Sequence, residues 1–178
     1  MSEVTGNGIN RRQALLAAAA GAVATGVIGG LNTASAQTPE APAATALTDD
    51  VVMTAIHGAL AKATELGVPS VIAVFDRSGT QRGFFRQDGA LTISTTLAPQ
   101  KSYTAAVFGA STADFAANFS SDPITAAALL KLDNITLLGG GLPIVLGGVP
   151  VGGIGSSGGS VEQDIEVATA GLAAIGAA

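Results

Sequence analysis

Gly139-Gly140-Gly141-Leu142-Pro143-Ile144-Val145-Leu146-Gly147-Gly148-Val149-Pro150-Val151-Gly152-Gly153-Ile154-Gly155-Ser156-Ser157-Gly158-Gly159 decides the fold. Two apolar runs, Leu142 to Leu146 and Val149 to Ile154, lie between glycine clusters. Gly147-Gly148 between them is a two-residue turn signal, because glycine tolerates positive φ. The stretch therefore reads as a buried β-hairpin that opens, through a Gly/Ser loop, into a final helix. Glycine this dense also means that backbone passes close to another strand, another subunit or a ligand.

The helix after this stretch carries its own start signal. Ser160 and Gln163 form a capping box, and the helix is expected from about Val161 to Ile175. Upstream, Thr48-Asp49-Asp50 caps a helix with apolar residues at helical spacing that stops at Gly67. Ser70 to Asp76 is an apolar strand run, Arg77 to Thr80 a turn, and Gln81 to Gln87 a returning strand. From Ser94 the pattern is helical, with Pro99 in the first turn if the helix starts near Leu97. Ser111 or Thr112 caps a short helix through Phe119, and Pro123 starts another to about Lys131. Thr136 to Leu138 reads as a short strand. The order predicts an α+β fold: a central antiparallel sheet of about five strands, with helices packed mainly on one face.

The chain has 178 residues, 48% of them hydrophobic but only 4% aromatic, so Ala, Val, Leu and Ile must build the core. Its net charge of -5 argues against nucleic acid, whose binding rests on Lys and Arg against phosphates. The absence of cysteine removes disulfides and thiolate metal sites.

Residues 1–36 have the layout of a secretory signal peptide: Arg11-Arg12, an uncharged Ala/Gly/Val-rich run, then Ala34-Ser35-Ala36. The arginine pair resembles a twin-arginine signal, which implies an exported protein, periplasmic or extracellular. A retained membrane anchor is the alternative, since about 20 apolar residues span a bilayer. Signal removal would leave no stable membrane span. Residues 37–46 read as a Pro/Ala-rich leader, and 47–178 as the domain.

Several pieces recur in one order. Val74-Phe75-Asp76-Arg77-Ser78-Gly79 comes first, then Phe85-Arg86-Gln87-Asp88-Gly89-Ala90. Ala98, Lys101-Ser102, Thr104-Ala105 and Thr112 follow, then Gly139 to Ile144, Val151 to Gly159, Gln163-Asp164 and Ala170-Gly171-Leu172. This set resembles the GlcG/HbpS-like (DUF336) family from about Leu47 to the C-terminus. The resemblance implies an α+β fold, homo-oligomers and, in secreted members, haem binding. It also implies Thr112 as the residue facing the haem iron.

Each candidate site residue also has a plainer role. Thr112 stands where a helix N-cap would. His57, the only histidine, lies four residues after Met53 on a helix flank, where it can be ligand or solvated side chain. Tyr103, the only tyrosine, offers a phenolate or a core-edge hydroxyl. Arg86, Asp88 and Lys101 form a polar constellation able to hold propionates or a small acid, or else an ion pair of Lys101 with Asp88 or Asp76. Ser156 to Gly159 resembles an anion-binding loop, or a tight turn before the Ser160 cap. Glu162, Asp164 and Glu166 read as a solvated acidic helix start.

The leading functional expectation is an exported, oligomeric, non-enzymatic protein that binds a small ligand, haem first. An enzyme or accessory protein acting on a small hydroxy acid or aldehyde is the second. A structural oligomer without ligand is the third.

Overall fold

The computed structural model describes residues 46–177. The stretches read as a signal peptide and, but for its last residue, as a leader lie outside the described residues. The elements follow the order α1 (Asp49–Glu65), β1 (Val71–Asp76), β2 (Gln81–Arg86), α2 (Ser94–Phe108), α3 (Thr112–Asn118), α4 (Pro123–Leu129), β3 (Gly141–Leu146), β4 (Val149–Ser157) and α5 (Val161–Ala174). The strands form one antiparallel sheet in the order β2-β1-β4-β3. The α+β expectation holds, with four strands where about five were expected.

The missing strand is Thr136 to Leu138, which runs beside α2 without joining the sheet. Side chains replace the ladder there: Thr136 N donates to Thr104 Oγ1 at 3.0 Å, and Leu138 N to Thr136 Oγ1 at 3.2 Å. Side-chain oxygens of this kind compete with regular backbone pairing.

Helices cover both faces of the sheet rather than mainly one. Ile72 and Val74 of β1 pack with α1 and α5, whose buried residues include Ile56, Ala59, Val167 and Leu172. Val71, Ala73 and Phe75 point the other way, against Ala98 and Ala106 of α2 and Tyr103. The unbroken apolar run of β1 follows from this, because a strand covered on both faces has no polar side to alternate with.

The hairpin at the C-terminal end forms as expected. Gly147 and Gly148 take φ of 57° and 80°, the pair of positive values that a type I′ turn requires. β4 extends beyond Ile154 to Ser157 and lies between β1 and β3. Its glycines answer the question of close approach. A Cβ on Gly153 would come within 2.6 Å of Ala106 N, and one on Gly155 within 2.5 Å of Ser102 N. The α2 backbone therefore rests directly on the strand, and Ser102 Oγ donates to Gly153 O at 2.9 Å across the contact.

This contact also sets the phase of α2. Its buried side is Ala98, Lys101, Ser102, Ala105 and Ala106, while Phe108 is exposed. The helix starts at Ser94 rather than near Leu97, so Pro99 sits inside it and withholds an N–H from the ladder.

Candidate functional site

Five elements meet around Lys101. The residue lies on α2 and is only 3% exposed. Its Nζ donates to Asp164 Oδ2 at 2.5 Å and to Ser156 O at 3.0 Å. Asp164, equally buried, is in the first turns of α5. Its second oxygen, Oδ1, accepts from Gly158 N at 2.9 Å and Gly159 N at 3.1 Å. One carboxylate thus joins α2, the end of β4 and the start of α5. Lys101 pairs with Asp164, not with Asp88 or Asp76.

Asp164 is the residue that sequence reasoning misplaced. It belongs to the buried stripe Asp164, Val167, Ala168, Gly171, Leu172 of α5, at the helical spacing of an inner face. That spacing was the available signal. Glu162 and Glu166 are exposed as expected. The anion-loop reading of Ser156 to Gly159 changes as well. The amides of Gly158 and Gly159 are turned inward onto the protein's own carboxylate, and Ser160 and Gln163 cap the helix reciprocally.

Thr112 is fully buried beside this pair. It is not the cap of α3; Ser111 is, accepting from Asp114 N at 3.0 Å. The Thr112 hydroxyl instead accepts from Gly141 N at 3.0 Å and so fastens the first residue of the edge strand β3. Gly140 completes the packing, since a Cβ there would come within 2.9 Å of Lys101 Nζ and 2.7 Å of Asp164 Cβ. Among the described residues, Ser156 Oγ is a buried hydroxyl without a partner.

The other expected members lie elsewhere. Arg86 is on β2, at the opposite edge of the sheet from β3, where its Nη2 donates to Ala90 O at 2.7 Å. Asp88 is exposed in the following turn. Neither joins Lys101. His57 is exposed on α1 beside exposed Met53. Tyr103 is half-buried, edge-on to Phe75 with ring centroids 5.7 Å apart. Among the described residues no group of three or more His, Asp or Glu is placed to share a metal ion, and no helix is long and apolar enough to cross a membrane.

Surface clefts are present among the described residues. One, of about 280 Å³, is lined by Ala63, Thr64, Val68, Pro69, Gln87 and Asp88 among others. Another, of about 500 Å³, is lined by Leu47, Asp76, Arg77, Arg82 and Val151 among others. Lys101 and Thr112 line neither. At Asp76, burial works against the charged form. Hydrogen bonds from Ser78 and Thr80 and the nearby Arg82 outweigh it and hold the carboxyl below the usual range.

The arrangement does not fit haem at Thr112 as packed, because both the hydroxyl and the neighbouring ammonium are enclosed and bonded internally. His57, Arg86 and Tyr103 are the expected residues with surface that a planar ligand can reach.

The comparisons agree with the fold. Corrinoid adenosyltransferase PduO of Citrobacter freundii is 38% identical over 124 residues, which is 67% of this chain and 36% of that protein. The chain thus spans about a third of that relative. A solved PduOC:heme complex superposes with a TM-score of 0.70 at 31% identity, covering 75% of this chain and 98% of the other. A double mutant of HbpS from Streptomyces reticuli gives 0.67 at 31% identity, covering 86% and 97%. Residues 47–173 match the family described as haem degrading protein HbpS-like. The chain belongs to the HbpS-like family.

Proposed function

We propose that this is an exported, homo-oligomeric protein that binds haem without a catalytic role of its own. The observation that carries haem is the neighbour solved with heme, which superposes over nearly its whole length. Within this chain, His57, Arg86 and Tyr103 stand where a ligand can touch them, His57 as a nitrogen donor and Arg86 as a partner for propionates. Thr112 and Lys101 come within reach only if the contact between α3 and the start of β3 opens, since Thr112 holds Gly141 there.

Hemin titration of variants separates these routes. Loss of the Soret shift in His57→Ala with retention in Thr112→Ala assigns the ligand to the surface. The reverse pattern assigns it to the opened Thr112 site. Retention in both, and in Tyr103→Phe, removes all three as iron ligands. A bound spectrum that is stable under peroxide or reductant supports binding alone, whereas bleaching supports haem degradation.

Export rests on Arg11-Arg12 ahead of the apolar run. Fractionation of an Arg11→Lys, Arg12→Lys variant tests it, and undiminished export would sink the twin-arginine route. Light scattering on the purified protein tests oligomerisation.

A further inference from the structure

Between α2 and β3 the chain leaves the sheet and returns through residues 110–133, the stretch that carries α3 and α4. Its two ends share a backbone feature. Gly109 takes φ of 67° and Asn134 φ of 65°, and among the described residues Asn134 is the one residue other than glycine at positive φ. Both ends are pinned to α2: Gly109 N donates to Ala105 O at 2.9 Å, and Thr104 Oγ1 to Asn134 O at 3.4 Å. Hinges are a few loop or element-terminal residues that absorb changes in φ and ψ, and these two positions are of that kind.

What lies between the ends is tied to the rest of the domain at few points. Among the described residues, every hydrogen bond of 110–133 stays within the segment except those of the Thr112 hydroxyl. That hydroxyl accepts from Gly141 N at 3.0 Å and donates to Gly141 O at 3.4 Å. No ion pair reaches the segment among the described residues. α4 buries none of its residues, and Ile124 near its start is 83% exposed. On α3, Thr112 and Phe115 are the buried residues, and the Phe115 ring lies 4.3 Å from that of Phe108 on α2. Little apolar burial and few bonds to the remainder mark a segment that opens without global unfolding.

We propose that residues 110–133 are a hinged flap, latched by Thr112 on Gly141 and anchored by Phe115 on Phe108, and that its opening admits a ligand to Thr112. The flap stands on the bonds above, whereas its use in admitting haem rests on the proposed function. One hydroxyl cannot hold Gly141 and face a ligand at once, so closure and binding compete for Thr112. The apparent affinity then falls with the fraction of molecules that are open. Loosening the anchor while keeping the hydroxyl therefore strengthens binding.

Closure sets α3 against the entry to β3. A Cβ on Gly139 would stand 3.7 Å from that of Ala113, the spacing of a disulfide. The protein has no cysteine, so a pair placed there is a reversible lock. The same Cβ would come within 2.6 Å of Val161 Cγ1, so Val161→Ala is included to make room.

The test uses the full chain in three forms: unmodified, Ala113→Cys with Gly139→Cys and Val161→Ala, and Phe115→Ala. In the unmodified protein the amides of α3 are expected to exchange hydrogen with those of α4, ahead of β1 and β4. Oxidising the cysteine pair is expected to slow exchange in α3 and to abolish the hemin Soret shift, and a phosphine reductant to restore both. Phe115→Ala is expected to speed exchange in α3 by about tenfold or more, with β1 and β4 unchanged, and to bind hemin more tightly. Exchange in α3 as slow as in β1 and β4, or unaffected by the lock, would overturn the flap. Undiminished hemin binding by the oxidised variant would overturn its role in admitting the ligand and leave the haem reading intact. No hemin binding by the unmodified protein would overturn that role together with the haem reading, and exchange alone then upholds or overturns the flap.

Discussion

Removing the Asp164 carboxylate should be among the most damaging single changes available in this domain. In Asp164→Ala, Lys101 loses its counter-charge in a site only 3% exposed, with Ser156 O as its one remaining partner. Leaving one half of a buried pair unmatched costs about 3–5 kcal/mol. The amides of Gly158 and Gly159 also lose their acceptor, and at partly buried positions each adds about 1 kcal/mol, the lower end of the usual range. The sum is at least about 5 kcal/mol, against a total stability of about 5–15 kcal/mol for a domain of this kind. Lys101→Met should cost less, because Asp164 keeps both amide donors after the ammonium is gone. Urea unfolding followed by circular dichroism measures both, and the Lys101→Met, Asp164→Leu double variant closes the cycle with a cost below the sum of the singles. A loss under about 1 kcal/mol for Asp164→Ala would refute the reasoning, since it would mean that water reaches Lys101 and the pair is not buried.

Other outcomes follow from the same structure. Gly155→Val should prevent folding or cost more than about 3 kcal/mol, because its Cβ would overlap the α2 backbone at Ser102. Gly148→Ala, at φ 80° with open space around it, should cost only about 1 kcal/mol by urea midpoint. Asp76 titrates below its ordinary range, so it adds stability at pH above its unfolded value of about 3.9 and loses it as pH falls through the lower folded value. Asp76→Asn should therefore flatten the acid decline of the urea midpoint below about pH 4, and parallel profiles for the two proteins would contradict this. Ser160→Ala removes the first half of the capping box and should cost about 0.5–2 kcal/mol.

Most of the element order was legible because its signals are local. Thr48, Ser160 with Gln163, and Gly147-Gly148 each act within a few residues, and each forms as expected. What escaped was set by contacts between distant segments. Helices were expected mainly on one face, although β1 is an unbroken apolar run, because the second cover depends on the glycines of β4 accepting α2. The composition of α2, with Ala98, Ser102, Ala105 and Ala106 inward, carries little contrast in hydrophobicity, so its apolar spacing does not set its phase.

The site was legible in part for the same reason. Lys101 stood out as a lysine among apolar neighbours, and it is buried. Its partner Asp164 lies 63 residues away, and no local spacing links the two. Grouping Lys101 with Arg86 and Asp88 failed because strand order places β2 and β3 at opposite edges, and that order is a property of the whole sheet. Thr112 was singled out for the haem iron through the family resemblance, and the structure gives its hydroxyl the task of holding Gly141.

Parallel titration of the purified protein with hemin and with a corrinoid tests the central reading most directly, because solved and curated relatives carry both chemistries in their names. The account predicts a saturable Soret shift with hemin at micromolar protein and no saturable change with the corrinoid. Saturation with the corrinoid alone, or with neither, would contradict it.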